Sequence, residues 1–197
     1  MRKNLFMAAV AAFSLALVGG IEARAQSGEP RVEVGGQFAF IHFRDLSSND
    51  AGFGGHITYH LNTFIAIEGE LNVFPGDKNS IDFFSGLSQG GRKVEGLVGV
   101  LTGFRGDKFG IYGKFRPGFL HLGRDLAGDK NGNTDFAMDV GAVVEYYPTR
   151  HTFLRLDLGD TIVRFPGSTV NVGGTLFSIP AAYSNNLQVN IGGGVRF

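Results

Sequence analysis

Eight times along this chain, apolar and polar residues alternate over about ten positions, and no other feature restricts the fold so strongly. Successive side chains of a strand point to opposite faces, so each run presents one apolar and one polar face. The apolar parity holds Val32, Val34, Phe38 and Phe40 in the first run, against Glu33 and Gln37. It holds Phe53, Ile57 and Tyr59 in the second, against His56, Thr58 and His60, and Ile65, Ile67, Leu71 and Val73 in the third, against Glu68, Glu70 and Asn72. "VEGLVGVLTGF" is less regular, with Val94, Val98, Val100 and Phe104 opposed by Glu95, Leu97 and Leu101. The pattern returns with Phe109, Ile111, Phe115 and Phe119 against Tyr112, Lys114 and Arg116, then with Phe136 to Tyr146 against Asp139 and Glu145. It finishes with Leu154, Leu156 and Leu158 against Arg155 and Asp157, and with the terminal "NLQVNIGGGVRF". The expectation is all-β: eight antiparallel strands in an up-and-down barrel.

The connections alternate too. "LNT", "RGDK" and "PTR" are short, whereas "RDLSSND", the stretch from Pro75 to about Arg92, "GRDLAGDKNGNT" and the stretch from Arg164 to about Asn186 are long. Short turns therefore gather at one rim and long loops at the other.

The N-terminal "MRKNLFMAAVAAFSLALVGGIEARAQ" opens with two cations, Arg2 and Lys3, followed by an apolar stretch from Leu5 to Val18 and an A-x-A site at Ala23 and Ala25. It reads as a secretory signal peptide over residues 1–25, leaving 26–197 as one barrel domain. A retained anchor fits less well, because the apolar stretch is shorter than the ~18–20 residues that span a bilayer. With no cysteine, neither disulfides, a thiolate metal site nor an acylated N-terminal cysteine is available. A net charge of +0 and no basic block give no electrostatic footprint for nucleic acid.

Alternation alone does not say which face is inside, since an exported lipocalin would bury the apolar parity. An export signal, strands of membrane-spanning length and loops short at one rim favour the inverse arrangement, with the apolar face in lipid. Aromatics near strand ends, at Tyr59, Phe64, Phe104, Phe109, Tyr146 and Phe153, suit an interfacial girdle. A closed barrel must also pair its last strand with its first, because unpaired backbone in hydrocarbon costs several kcal/mol per group.

At these residues the chain resembles the outer-membrane β-barrel family of OmpA-type and opacity-type proteins. "GAVVEYYPTRHTFLRLDLGD" is similar to that family's penultimate hairpin, and the chain shares its terminal aromatic strand. The resemblance implies the bacterial outer membrane as location and its lipid as surroundings. It also implies that Leu187, Val189, Ile191, Val195 and Phe197 form a signal read by the barrel-assembly machinery. The sequence stops at the barrel, so cell-wall anchoring through a peptidoglycan-binding domain is not expected.

With the apolar parity outward, the lumen receives Glu68, Glu70, Glu95, Lys114, Arg116, Asp139, Glu145, Arg155, Asp157 and Arg196. Eight strands enclose a space that side chains can fill, so a packed ionic interior with a structural or surface-interaction role is one expectation. A narrow pore gated by Glu68, Glu70, Lys114 and Arg116 is the alternative. If the first short turn centres on Asn62, His56 faces Glu68; if the next centres between Gly106 and Asp107, Arg116 lies diagonal to Glu95.

A lipid A-modifying enzyme is a third possibility, with His42, His121 and Asp160 near the outer rim. The one G-x-S-x-G match, Gly86 to Gly90 around Ser88, lies inside a long connection and not at a strand-to-helix turn, and no serine is placed by motif beside either histidine, so an enzyme is not expected, nor is a cofactor. "DKNGNTD" spaces Asp129, Asn131, Asn133 and Asp135 like the start of a calcium loop, but Val140 stands where the bidentate glutamate belongs. "STVNVGGTLFSI" carries a hairpin signal at Gly173-Gly174 and lies in the longest loop, where a surface ligand could bind.

Overall fold

The computed structural model describes residues 30–44, 48–75, 80–81, 88–89, 92–123, 133–165, 168–172, 175–179 and 181–197. Residues 1–25, the expected signal peptide, lie outside them, as do Asp129 and Asn131 of the candidate calcium loop.

The strands in chain order are β1 (Val32–Phe43), β2 (Ser48–His60), β3 (Ile65–Phe74), β4 (Ser80–Ile81), β5 (Ser88–Gln89) and β6 (Lys93–Arg105). They continue with β7 (Phe109–Leu122), β8 (Asn133–Tyr146), β9 (Thr152–Phe165), β10 (Ser168–Val172), β11 (Thr175–Ile179) and β12 (Ala182–Arg196). Eight of them close into an antiparallel barrel in the order β1-β12-β9-β8-β7-β6-β3-β2. The other four form two small hairpins inside the long connections, β4 with β5 and β10 with β11. In the second hairpin Val172 opposes Thr175; the Gly173-Gly174 pair that carries the hairpin signal lies outside the described residues.

Strand length reflects burial of backbone polarity. In hydrocarbon every N–H and C=O needs an inter-strand partner, and β1 therefore pairs β12 from Glu33↔Arg196 to Phe43↔Asn186. The seam is finished by backbone bonds to the last residue: the amides of Arg31 and Val32 donate to the Phe197 carbonyl at 2.6 and 3.1 Å, and the Phe197 amide donates to Val32 at 2.8 Å. β2 begins at Ser48, earlier than its hydrophobic pattern suggests, so Ser48, Asn49 and Asp50 belong to the sheet and the first long connection is shorter than expected.

The apolar parity faces outward. Phe38, Phe53, Phe104, Ile111, Leu154 and Leu187 are all exposed on the barrel exterior, while the largest buried side chains include Arg116 and Glu68. Girdle positions Tyr59, Phe64, Phe104, Phe109 and Tyr146 lie outside as expected, with Phe109 and Tyr146 paired at 5.0 Å between ring centroids. Phe153 does not. It is buried in the lumen against His56, ring centroids 5.7 Å apart, because it shares the parity of Arg155 and Asp157.

Two short turns fix the register. Asn62 Oδ1 accepts from the amides of Phe64 and Ile65 at 2.8 and 2.9 Å, a side-chain turn of the kind asparagine favours. The β2–β3 turn consequently centres on Thr63, and His56 stands opposite Glu70 while Thr58 stands opposite Glu68. Between β6 and β7, Arg105 pairs Gly110 and Glu95 pairs Leu120, so the turn centres one residue beyond the expected point. The β6–β7 pairing is interrupted between Leu97↔Gly118 and Val100↔Phe115, at Pro117, which has no N–H to donate.

Candidate functional site

The lumen is layered. Towards the long-loop rim, Ala39, Ile41, Phe74, Leu120, Ala137 and Val163 make an apolar cluster with Leu122 against it. Towards the short-turn rim, Ala66, Leu101, Tyr112 and Val143 form a second. Between them lies a network of ions and amides.

Arg116 is the hub. Its guanidinium donates from Nε to Asp139 at 3.0 Å, from Nη1 to Glu68 at 2.5 Å and to Glu70 at 2.6 Å, and from Nη2 to Asp139 and to Asp157, the latter at 3.1 Å. Arg155 reaches Glu68 with both terminal nitrogens at 2.6 and 2.7 Å, Asp157 at 3.1 Å and Glu145 at 3.3 Å. Lys114 pairs Asp157 and, at 2.6 Å, Asp139. Its ammonium occupies the notch that Gly159 leaves, since a Cβ there would meet Lys114 Nζ and Asp139 Oδ1. Charged groups held this way are shielded from lipid by the barrel wall, and their mutual attraction offsets the cost of removing them from water only because each carboxylate meets several donors.

Glu95 sits apart from this hub. It accepts from Asn72 at 2.8 Å and from Gln188 at 3.0 Å, and Arg116 is not its partner, because the turn displacement carries the two away from the expected diagonal. Amides extend the network: Asn190 and Asn72 donate to Glu70 Oε1 at 3.0 and 2.7 Å, and Gln37 bonds Asn72 and His56, both at 3.0 Å. The expected lumen network holds only charged residues and leaves out Asn72, Gln188, Asn190 and Thr58, although the parity that selects the charges selects these buried polar groups as well.

At the short-turn rim, Glu33 is the focus. Arg105 donates to its Oε1 at 3.0 Å, Arg196 Nε stands 3.7 Å from the same oxygen, and His60 Nε2 lies 3.2 Å from its Oε2. Tyr147 donates to Glu145 at 2.7 Å and carries the Arg196 guanidinium over its ring at 3.9 Å. A cavity of ≈ 350 Å³ opens here, lined by Pro30, Arg31, His60, Asn62 and Arg105 among others. At the opposite rim, Lys93 pairs Asp50 above the apolar cluster, and Asp135 is buried.

The three residues of the enzyme possibility do not converge. Among the described residues, His42 bonds Asn49 at 2.7 Å, His121 bonds Thr134 at 2.8 Å, and Asp160 accepts from Asn185 at 2.9 Å.

The chain is similar in structure to several small outer-membrane barrels. The N-terminal β-barrel domain of Pseudomonas aeruginosa OprF matches at 12% identity and a TM-score of 0.51, covering 84% of this chain and 97% of that one. OprG from the same organism matches at 12% identity and 0.55, covering 85% and 96%. Ail, the attachment invasion locus protein of Yersinia pestis, crystallised with the heparin analogue sucrose octasulfate, matches at 16% identity and 0.50, covering 86% and 100%. No curated protein matches the sequence. The profile of the outer membrane protein beta-barrel domain matches residues 11–197. With a closed eight-stranded barrel, an apolar exterior and an ionic lumen, the chain belongs to the outer membrane protein beta-barrel family of the bacterial outer membrane.

Proposed function

We propose that this barrel is a non-enzymatic protein with a structural or surface-interaction role, closed to solute flux by its own side chains. The observation that carries the reading is Arg116, fully buried and ion-paired to Glu68, Glu70, Asp139 and Asp157. Removing a partner from such a group strands a buried charge at a cost of about 3–5 kcal/mol, and apolar clusters above and below the network support a lumen closed to water. A gate would require these pairs to exchange. Conductance in planar lipid bilayers tests it: the wild-type protein should give no stable current steps, and reproducible steps would favour the gated pore.

The surface role is supported by the long connections, which hold the β4–β5 and β10–β11 hairpins away from the barrel's own sheet. Binding of labelled cells to a sulfated-glycan array is the first screen, since a protein of like fold takes a heparin analogue. Lipid A mass spectra from cells with and without the protein should be identical; a changed acyl pattern would restore the enzyme reading.

The terminal strand has a second role in this proposal, as the segment recognised by the assembly machinery. Leu187, Ile191, Val195 and Phe197 present an exposed apolar face along β12 and its end, with Val189 half-buried among them.

A further inference from the structure

We propose that Glu33, His60 and Glu145 form a binding site for a divalent transition-metal ion at the short-turn end of the lumen. One ring nitrogen of His60 and one carboxylate oxygen from each glutamate lie within 4.8 Å of one another, and all three residues are buried. Those atoms come from β2, β1 and β8, brought to one end of the barrel by closure of the sheet.

Proximity of acids alone would not suffice. Glu68, Glu70 and Asp157 are grouped as closely in the centre of the lumen, but Arg116 and Arg155 already occupy that trio. The rim site differs in what is left over. His60 is 3% exposed, and neither of its ring nitrogens has a hydrogen-bond partner; Glu33 Oε2 has none either, although it stands 3.2 Å from His60 Nε2. Buried polar atoms are nearly always satisfied; here Nε2 and Oε2 face each other at ion-pair distance without a well-formed hydrogen bond and Nδ1 has no partner, a donor set that a ligand accepting lone pairs from both residues would complete.

The surroundings suit a metal site. The second oxygen of Glu33 is held by Arg105 at 3.0 Å, and Glu145 is held by Tyr147 at 2.7 Å and Arg155 at 3.3 Å. Contacts of this kind orient ligating carboxylates. The cavity that His60 lines with Arg31, Asn62 and Arg105 lies at the same rim as the site. An imidazole donor favours zinc, nickel or copper over calcium and magnesium, which take oxygen ligands. Arg105, Arg155 and Arg196 oppose a second positive centre, and they set the affinity below that of a cage made only of anions. The ion would tie β1, β2 and β8 together at the rim.

The probe is zinc, titrated calorimetrically into chelator-stripped protein purified from outer membranes in detergent without a histidine tag. One ion should bind per barrel, and the cold-detergent unfolding midpoint should rise with zinc. His60→Gln should weaken binding at least tenfold, while His42→Gln and His121→Gln leave it unchanged. X-ray absorption of the zinc-loaded wild type needs no variant, and it should show one imidazole with oxygen donors. Absence of binding, binding unaltered in His60→Gln, loss of binding in a surface-histidine variant, or two or more imidazoles around the metal would each overturn the assignment.

Discussion

Arg155 and Glu68 meet across the full width of the barrel. They stand on β9 and β3, opposite positions in the eight-stranded ring, and join through two parallel hydrogen bonds of 2.6 and 2.7 Å. Gln188 on β12 and Glu95 on β6 are likewise opposite and bond at 3.0 Å. Such bonds fasten walls that share no backbone ladder, and they exist only once the barrel has closed.

That geometry predicts coupling between the two residues. In a cycle of Glu68→Gln, Arg155→Gln and the double variant, chemical unfolding followed by circular dichroism should give a coupling energy of about 1–3 kcal/mol. Glu68 with Lys93, which pairs Asp50 at the other rim, should be additive within about 0.5 kcal/mol. Additivity at Glu68 and Arg155 would mean that the cross-lumen contact is absent in the membrane.

Replacing the hub is a harsher perturbation. Arg116→Met removes the donor shared by Glu68, Glu70, Asp139 and Asp157, and should cost about 3–5 kcal/mol, seen as a lower midpoint for the heat-modifiable gel shift. It should not create current steps, because the apolar clusters on either side remain. Stable conductance in this variant would show that the ion network is the barrier.

The inward position of Phe153 can be read directly, since the chain has no tryptophan of its own. In Phe104→Trp the indole should be strongly quenched by brominated lipid, because Phe104 is exposed on the outer wall. In Phe153→Trp it should be weakly quenched, being enclosed beside His56. Equal quenching would return Phe153 to the girdle.

Phe197→Ala separates assembly from stability. The side chain is about half exposed, and the backbone bonds that close the seam belong to its amide and carbonyl. Refolding of the purified variant into micelles should therefore be near normal, with a loss of about 1 kcal/mol or less of the ~1.5–3 that full burial of such a side chain contributes. In cells, less protein should reach the outer membrane and more should be degraded in the periplasm. Equal amounts of variant and wild type in outer-membrane fractions would remove Phe197 from the proposed signal.

The sequence by itself determined the number of barrel strands, their antiparallel succession, the gathering of short turns at one rim, and which side chains of a strand share a face. Facing is legible because the side-chain period of a strand is two, so parity survives any register shift of an even number of residues. Phe153 shows how local that information is: its parity with Arg155 placed it in the lumen, and only its position near a strand end suggested lipid. The tertiary structure decided the partners. Asn62 folds its side chain into the first short turn and moves the centre to Thr63, which sets His56 beside Glu70. Arg116 meets Glu68 instead of Glu95, and Glu33, His60 and Glu145 converge, because ring closure and stagger bring together residues far apart in the chain. Those contacts depend on turn geometry and on closure of the whole sheet, and alternation within a single strand carries no record of either.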